Sequence, residues 1–354
     1  MSEESPNRVQ LAVSHWKPRF VANGIDVNDF ERVQAATREW ADWAPNWKTV
    51  GDMHRALAEA AEADGHVVTA TEAYQRAAVS YHLGKFLWFE DVELHLALSA
   101  LAVSSYARAL PHLDPPGERL DIPFEGTTIP GHLRRPRDVA RPPVVLIVPG
   151  LDSVKEELFT MEQDFLRRGM ATLTVDGPGQ GESAPRFPIR PDWAGVVRPI
   201  IDLLEARADL DAGRVGLMGI SMGGIYGPLA AAAEPRIRAL IALAGPYDLS
   251  ECWGALNELT RGGYVFYTKS KDEAEAFERA KTLALHGVLP RVRQPLLVVH
   301  GAKDRLFPPE QAERIAREAP NGTLLLYPDG NHVCNNIVYK YRPAMTDWMA
   351  EQLH

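Results

Sequence analysis

Six short apolar runs in the last two-thirds of the chain constrain its fold most: "VVLIV" (144–148), "ATLTVD" (171–176), "RVGLMG" (214–219), "ALIALAG" (239–245), "PLLVVHG" (295–301) and "TLLLYP" (323–328). Each is continuous in apolarity rather than alternating, the pattern of a strand buried on both faces, as in a parallel sheet covered by helices. The segments between them carry helical periodicity. The class is therefore α/β, with a mostly parallel central sheet flanked by helices. Just ahead, "RLDIPF", "EG" and "TTIPGHLRRP" (119–136) read as two strands joined by a tight turn, the opening of the sheet.

The first third reads differently. From about Asn28 to Leu113 the chain is rich in Ala, Leu and Glu, with apolar residues three and four apart, which predicts an all-α unit. Thr71 with Glu72, and Asp91 ahead of "VELHLAL", are candidate helix starts, and Gly65 and Gly84 candidate ends or loosened turns. "AYQRAA" has a repeat-like look, but no second copy follows at a fixed period. "PHLDPPGE" (111–118) cannot lie inside a regular element and marks a boundary. The expected division is a helical cap domain over 1–118 and a catalytic domain over 119–354.

Composition narrows the function classes. Apolar residues make up 45% and charged residues 24% of the 354, as in an ordinary globular protein, and the formal net charge of −9 lacks the basic footprint that nucleic-acid binding needs. "SEESPNRVQ" after Met1 lacks the basic start and apolar run of a secretory signal, and every apolar run is far shorter than the ~20 residues of a membrane helix. The expectation is a soluble cytoplasmic protein with no nucleic-acid or membrane partner. The two cysteines, Cys252 and Cys334, form no C-x-x-C pair and read as small hydrophobes.

In an open α/β sheet the reactive residues stand just past the carboxyl ends of the strands. Past "RVGLM" comes Gly219-Ile220-Ser221-Met222-Gly223, a G-x-S-x-G in strand-to-helix context, where small residues two before and two after the serine permit a sharp turn that exposes its hydroxyl. A serine needs a base, and the base an orienting acid, in the chain order Ser, Asp or Glu, His. Asp304 follows "PLLVVHGAKD" and His332 follows "TLLLYPDGNH", so both fall in that order past later strands. Alone, Asp304 could be a helix cap and His332 a loop histidine; order and strand context together make them a triad with Ser221.

An oxyanion formed by attack on a carbonyl needs backbone N–H donors. The expected pair is Met222, next to the nucleophile, and Leu151, in the loop after "VVLIVPG", with Gly150 giving close approach and Asp152 and Ser153 shaping the loop. "DGPGQGES" (176–183) is G-x-G-x-G, not the dinucleotide fingerprint G-x-G-x-x-G, and is read as a tight loop. With no phosphate-binding G-x-x-x-x-G-K-[ST] and no H-E-x-x-H, no cofactor and no metal are expected.

With "PGLDSVKEE", "DGPGQGES", "GISMGG", "HGAKD" and "GNH" behind an "AYQRAAVSYHLGKF" helical third, the chain resembles the α/β-hydrolase superfamily. It is most similar to the branch with an N-terminal helical domain that contains 2,6-dihydroxypseudooxynicotine hydrolase, the fungal polyketide-shortening hydrolases and the FrsA-like proteins. The resemblance implies Ser221 as nucleophile, Asp304 as acid and His332 as base. It also implies cleavage of a carbon–carbon bond beside a ketone in an aromatic or polyketide-like small molecule, and a homodimer. A carboxylesterase or amidase would use the same parts, and a non-catalytic FrsA-like binding protein would keep the fold. Some members carry a further acidic residue near the site; Glu251 and Glu258 stand in the corresponding segment, and each reads better as a solvated loop carboxylate. Trp40, Trp43, Trp47, Phe86, Trp88 and Phe89 could line a pocket for a bulky ring, or simply form a helix-bundle core.

Overall fold

A computed structural model describes residues 8–354; the first seven residues of the polar opening lie outside them. The chain divides into two compact units, one running up to Pro116 and taking in Glu156–Thr160, the other comprising Gly117–Lys155 and Met161–His354.

The first unit holds α1 (Arg8–Ala22), α2 (Val27–Ala36), α3 (Trp43–Ala63), α4 (Val67–Lys85) and α5 (Val92–Ala109). Helix α1 precedes the expected helical stretch. Its buried face, Ala12, Trp16 and Phe20, is spaced by fours, but Pro18 interrupts the pattern in sequence. Asp91 caps α5 as expected, accepting from Leu94 N–H at 3.1 Å. Thr71 does not start a helix: α4 begins at Val67, and the Thr71 hydroxyl bonds back to Val67 C=O at 2.8 Å. Gly65, with φ +75°, follows the end of α3, whereas Gly84 lies inside α4. A Cβ on Gly84 would stand 3.0 Å from Trp47 and 3.1 Å from Leu98, so its bareness lets three helices close up.

The aromatics of this unit form its own core. Trp43 and Trp47 are fully buried, Trp40 stacks on Trp43 at 5.5 Å, and Trp16 meets Phe86 edge-on at 4.9 Å. Each such burial removes a large apolar area from water, worth about 1.5–3 kcal/mol per side chain. Glu157 enters this unit from far along the chain: Arg19 grips it through two bonds of 2.6 Å and Asn23 donates at 2.7 Å. Burial would raise the Glu157 carboxyl, but the Arg19 charge and the His82 contact hold it well below the usual range.

The second unit is an eight-stranded sheet in the order β1-β2-β4-β3-β5-β6-β7-β8. The strands are β1 (Gly117–Phe124), β2 (Thr127–Arg134), β3 (Pro143–Val148), β4 (Ala171–Val175), β5 (Asp211–Ile220), β6 (Ile237–Leu243), β7 (Leu296–Gly301) and β8 (Gly322–Tyr327). The β1–β2 and β2–β4 pairings are antiparallel and all others parallel. The apolar runs lie in register, with Leu146 beside Leu217 and Leu217 beside Leu240, and every residue of β3 and β4 is buried. Its helices are α6 (Phe159–Leu166), of which Phe159 and Thr160 belong to the first unit, α7 (Trp193–Glu205), α8 (Gly223–Ala231), α9 (Leu249–Cys252), α10 (Glu258–Thr268), α11 (Glu273–Ala280), α12 (Pro309–Glu318) and α13 (Val338–Leu353). Among the described residues no helix is long and apolar enough to cross a membrane.

The ion pairs Lys155–Asp176 and Arg134–Glu162 of this unit have neither side chain exposed. Arg134 on β2 donates to Glu162 on α6 at 3.3 Å with neither side chain exposed, and Thr172 donates to the other carboxylate oxygen at 3.1 Å. Burial pushes the Glu162 carboxyl up even with the guanidinium beside it. Removing the cation alone leaves a buried carboxylate uncompensated, which costs about 3–5 kcal/mol. Without Arg134, folding favours the protonated acid, so the deficit is small near the unfolded carboxyl value and grows as pH rises. Arg134→Leu should therefore lose about 3–5 kcal/mol at pH 8 and visibly less at pH 5 in urea unfolding, with Arg134→Leu/Glu162→Gln recovering part of the loss. A deficit independent of pH would contradict this assignment.

Candidate active site

Ser221 stands on the turn between β5 and α8 with φ +55°, a left-handed conformation that a non-glycine residue adopts only under constraint. The constraint is backbone packing. A Cβ on Gly219 would lie 1.9 Å from Gly223 O, and one on Gly223 would lie 2.2 Å from Val148 O, so neither position admits a side chain. Ser221 N–H donates to Leu243 C=O at 2.8 Å, and Gly224 N–H returns to Ser221 C=O at 2.8 Å, tying the turn to β6 and to the start of α8.

The structure brings Ser221, Asp304 and His332 together. Ser221 Oγ lies 2.9 Å from His332 Nε2, and His332 Nδ1 lies 2.7 Å from Asp304 Oδ2. Asp304 follows β7 and is fully buried; its other oxygen accepts from Leu306 N–H at 2.8 Å and Phe307 N–H at 3.1 Å. Burial alone would raise this carboxyl, but His332, with lesser help from His300 and Leu306, brings it below the usual range. An ionised carboxylate only accepts, so Nδ1 carries the proton and Nε2 presents its lone pair to the Ser221 hydroxyl. His300 Nε2–H donates to Phe307 C=O at 2.9 Å and so braces the Asp304 turn. Val333 and Cys334, directly after His332, hold φ of +60° and +54°.

The loop after β3 passes directly over the serine: a Cβ on Gly150 would meet Ser221 Cβ at 2.8 Å and Oγ at 3.3 Å. Among the described residues neither Leu151 N–H nor Met222 N–H has a backbone acceptor. "DGPGQGES" supports this loop from behind. Gln180 Nε2 donates to Pro149 C=O at 2.5 Å while its Oε1 accepts from Gly177 N–H at 2.8 Å. Asp176 is fully buried and accepts both Lys155 N–H at 2.9 Å and Lys155 Nζ at 2.8 Å. The stretch is the tight loop its glycines predict, but the Lys155–Asp176 pair and the Gln180 contact leave no signal in the sequence, because their partners lie 21 and 31 residues apart.

Glu251 sits in the first turn of α9, where Arg314 at 2.7 Å and Gln311 at 3.0 Å hold its carboxylate, and Glu258 opens α10. Asp248, Glu251 and His286 offer ligand atoms within 4.8 Å of one another, but His286 Nε2 bonds Asp248 at 2.8 Å and Asp248 Oδ1 caps α9. These groups satisfy each other.

An eight-stranded, mostly parallel sheet with a serine on a strand-to-helix turn defines the class: this is an α/β-hydrolase fold. The family described as esterase FrsA-like matches residues 36–354, and the chain belongs to it. A 2,6-dihydropseudooxynicotine hydrolase of Paenarthrobacter nicotinovorans is 32% identical over 340 residues, 95% of this chain and 91% of that protein. The 20-hydroxy-prefusarin hydrolase FUS2 of Gibberella moniliformis is 36% identical over 224 residues; the match spans 59% of this chain and about half, 53%, of that one. A crystal structure of 2,6-dihydroxy-pseudo-oxynicotine hydrolase superposes with a TM-score of 0.88 at 31% identity, covering 95% of both chains. The chain is a hydrolase.

Cys252 and Cys334 are both buried, and burial pushes both thiols up to about 12. Only the thiolate reacts. Ellman's reagent should therefore find no fast thiol in the native protein and both of them in denaturant; a fast native thiol would contradict their placement.

Proposed function

We propose that the chain is a serine-nucleophile hydrolase acting at a carbonyl carbon, most suited to a carbon–carbon bond beside a ketone in an aromatic or polyketide-like small molecule. The observation that carries the reading is the unbroken chain from Ser221 Oγ through His332 to Asp304, at 2.9 and 2.7 Å, next to two N–H groups without backbone acceptors. The carbon–carbon preference rests on the family resemblance. The relatives' names, which specify hydrolysis of 2,6-dihydropseudooxynicotine and 20-hydroxy-prefusarin, support a small organic substrate.

In this reading His332 Nε2 takes the Ser221 proton as Oγ adds to the carbonyl carbon, and Asp304 stabilises the imidazolium. Met222 and Leu151 N–H groups bind the oxyanion. Collapse breaks the bond to the adjacent carbon, which leaves as a carbanion stabilised by its own carbonyl and receives the proton from His332. Water, deprotonated by His332, then releases the acid from Ser221. An ester or amide passes through the same steps with an alkoxide or amine as leaving group. The expected division of labour, with residues 119–354 supplying the chemistry and 1–118 acting as a cap that selects substrate, belongs to this proposal, as does a homodimer, which light scattering would read.

Purified protein incubated with an aryl β-diketone and, separately, a p-nitrophenyl ester tests the bond class: turnover of the diketone is expected, and brisk ester hydrolysis with an inert diketone would favour the esterase. Asp304→Asn keeps the turn but removes the charge that fixes the His332 tautomer, and should lower kcat about 10⁴-fold. A fluorophosphonate probe should label the wild type and not Ser221→Ala; an unlabelled, folded wild type would favour a non-catalytic binding protein.

A further inference from the structure

The loop that presents Leu151 contains a left-handed residue. Asp152 has φ +51° and is completely buried. Its Oδ1 accepts a hydrogen bond from the phenol of Tyr267, which is also buried. Aspartate enters the left-handed region more readily than most residues, and the Tyr267 bond holds its side chain there.

Tyr267 is itself a fixed post. It lies in the last turn of α10; its carbonyl accepts Ile189 N–H at 3.0 Å, and Thr268 Oγ ties back to Tyr264 C=O at 2.6 Å. Burial and then the Asp152 carboxylate push its phenol well above the ordinary range, so it remains a donor at any working pH. On the other flank of the same loop Gln180 holds Pro149 C=O, and a Ser153 N–H to Gly150 C=O bond at 3.4 Å closes the turn across Leu151. The segment from Pro149 to Ser153 is thus fastened on both sides of Leu151, with Tyr267 as one of the fastenings on the carboxyl side.

We infer that Tyr267 is a positioning residue for the oxyanion: through Asp152 it holds the Leu151 N–H on the line that a tetrahedral intermediate on Ser221 requires. The inference rests on the proposed roles of Ser221 and Leu151. Donor placement matters only when the oxyanion exists, so losing the phenol raises the barrier and leaves ground-state binding nearly untouched. Deleting a whole donor costs about 100- to 1,000-fold in kcat, and a displaced donor costs less.

The test uses Tyr267→Phe in the full-length protein, with kcat counted per site titrated by a fluorophosphonate, on whichever probe substrate the wild type turns over. The expected result is a fall in kcat of about 10- to 100-fold with KM within about threefold. Affinity for a trifluoromethyl ketone, which forms a hemiketal with the serine, should weaken by the same factor as kcat/KM. Asp152→Asn keeps an acceptor oxygen and should retain most activity, whereas Asp152→Ala should match or exceed the loss in Tyr267→Phe, with the double variant no worse than Asp152→Ala alone. An unchanged kcat per titrated site would overturn the inference, as would a fall in kcat without loss of ketone affinity. A folded wild type that neither labels nor turns over would instead sink the Ser221 reading, and this inference with it.

Discussion

The site depends on a turn in which backbone meets backbone with no room for a side chain. Between β5 and α8, Gly219 packs against Gly223, Gly223 against Val148 O, and Ser221 is forced to φ +55°. A residue in that region costs of order 1–3 kcal/mol. The cost is borne because the flanking strand lies in the middle of the sheet, between β3, which is wholly buried, and β6, which is buried at all but Arg238. Rigidity of the core is what keeps the hydroxyl projecting from the sheet end.

The same logic recurs around the sheet's carboxyl edge. The non-glycine residues with positive φ include Asp152 after β3, Ser221 after β5, Ala244 after β6, and Val333 with Cys334 after β8. Among the described residues, five of the eight such residues thus lie just past strand ends at this edge; Leu87, Glu125 and Lys269 lie elsewhere. Charge is treated alike: Asp304 and Asp176 are fully buried carboxylates, each fastened by N–H donors and a cationic or protonatable partner. Such groups are expensive to bury alone, and their pairing fixes loops that would otherwise wander.

Much of this was legible in the residues. Continuous apolarity located β3 through β8, and Asp91 announced its helix. Ser221, Asp304 and His332 could be picked out because each chemistry-bearing residue follows an apolar run, and strand order dictates where such residues can meet. What escaped depends on packing between distant segments. Helix α1 was hidden by Pro18, the start of α4 carries no capping side chain, and Gly84 serves inter-helix contact rather than termination. The tryptophans could be read as pocket or core; their rings pack on one another inside the helical unit. Tyr267 gave no signal, since its partner Asp152 is more than a hundred residues away.

The claim on which the account turns is that the oxygen of Ser221 becomes covalently attached to substrate. Rapid acid quench of the working enzyme, followed by peptide mass mapping, tests it most directly. The account predicts an acyl adduct, with the mass of the retained substrate fragment, on the peptide bearing Ser221 within the first turnover. Full turnover by the wild-type enzyme with that peptide unmodified at every quench time would contradict it.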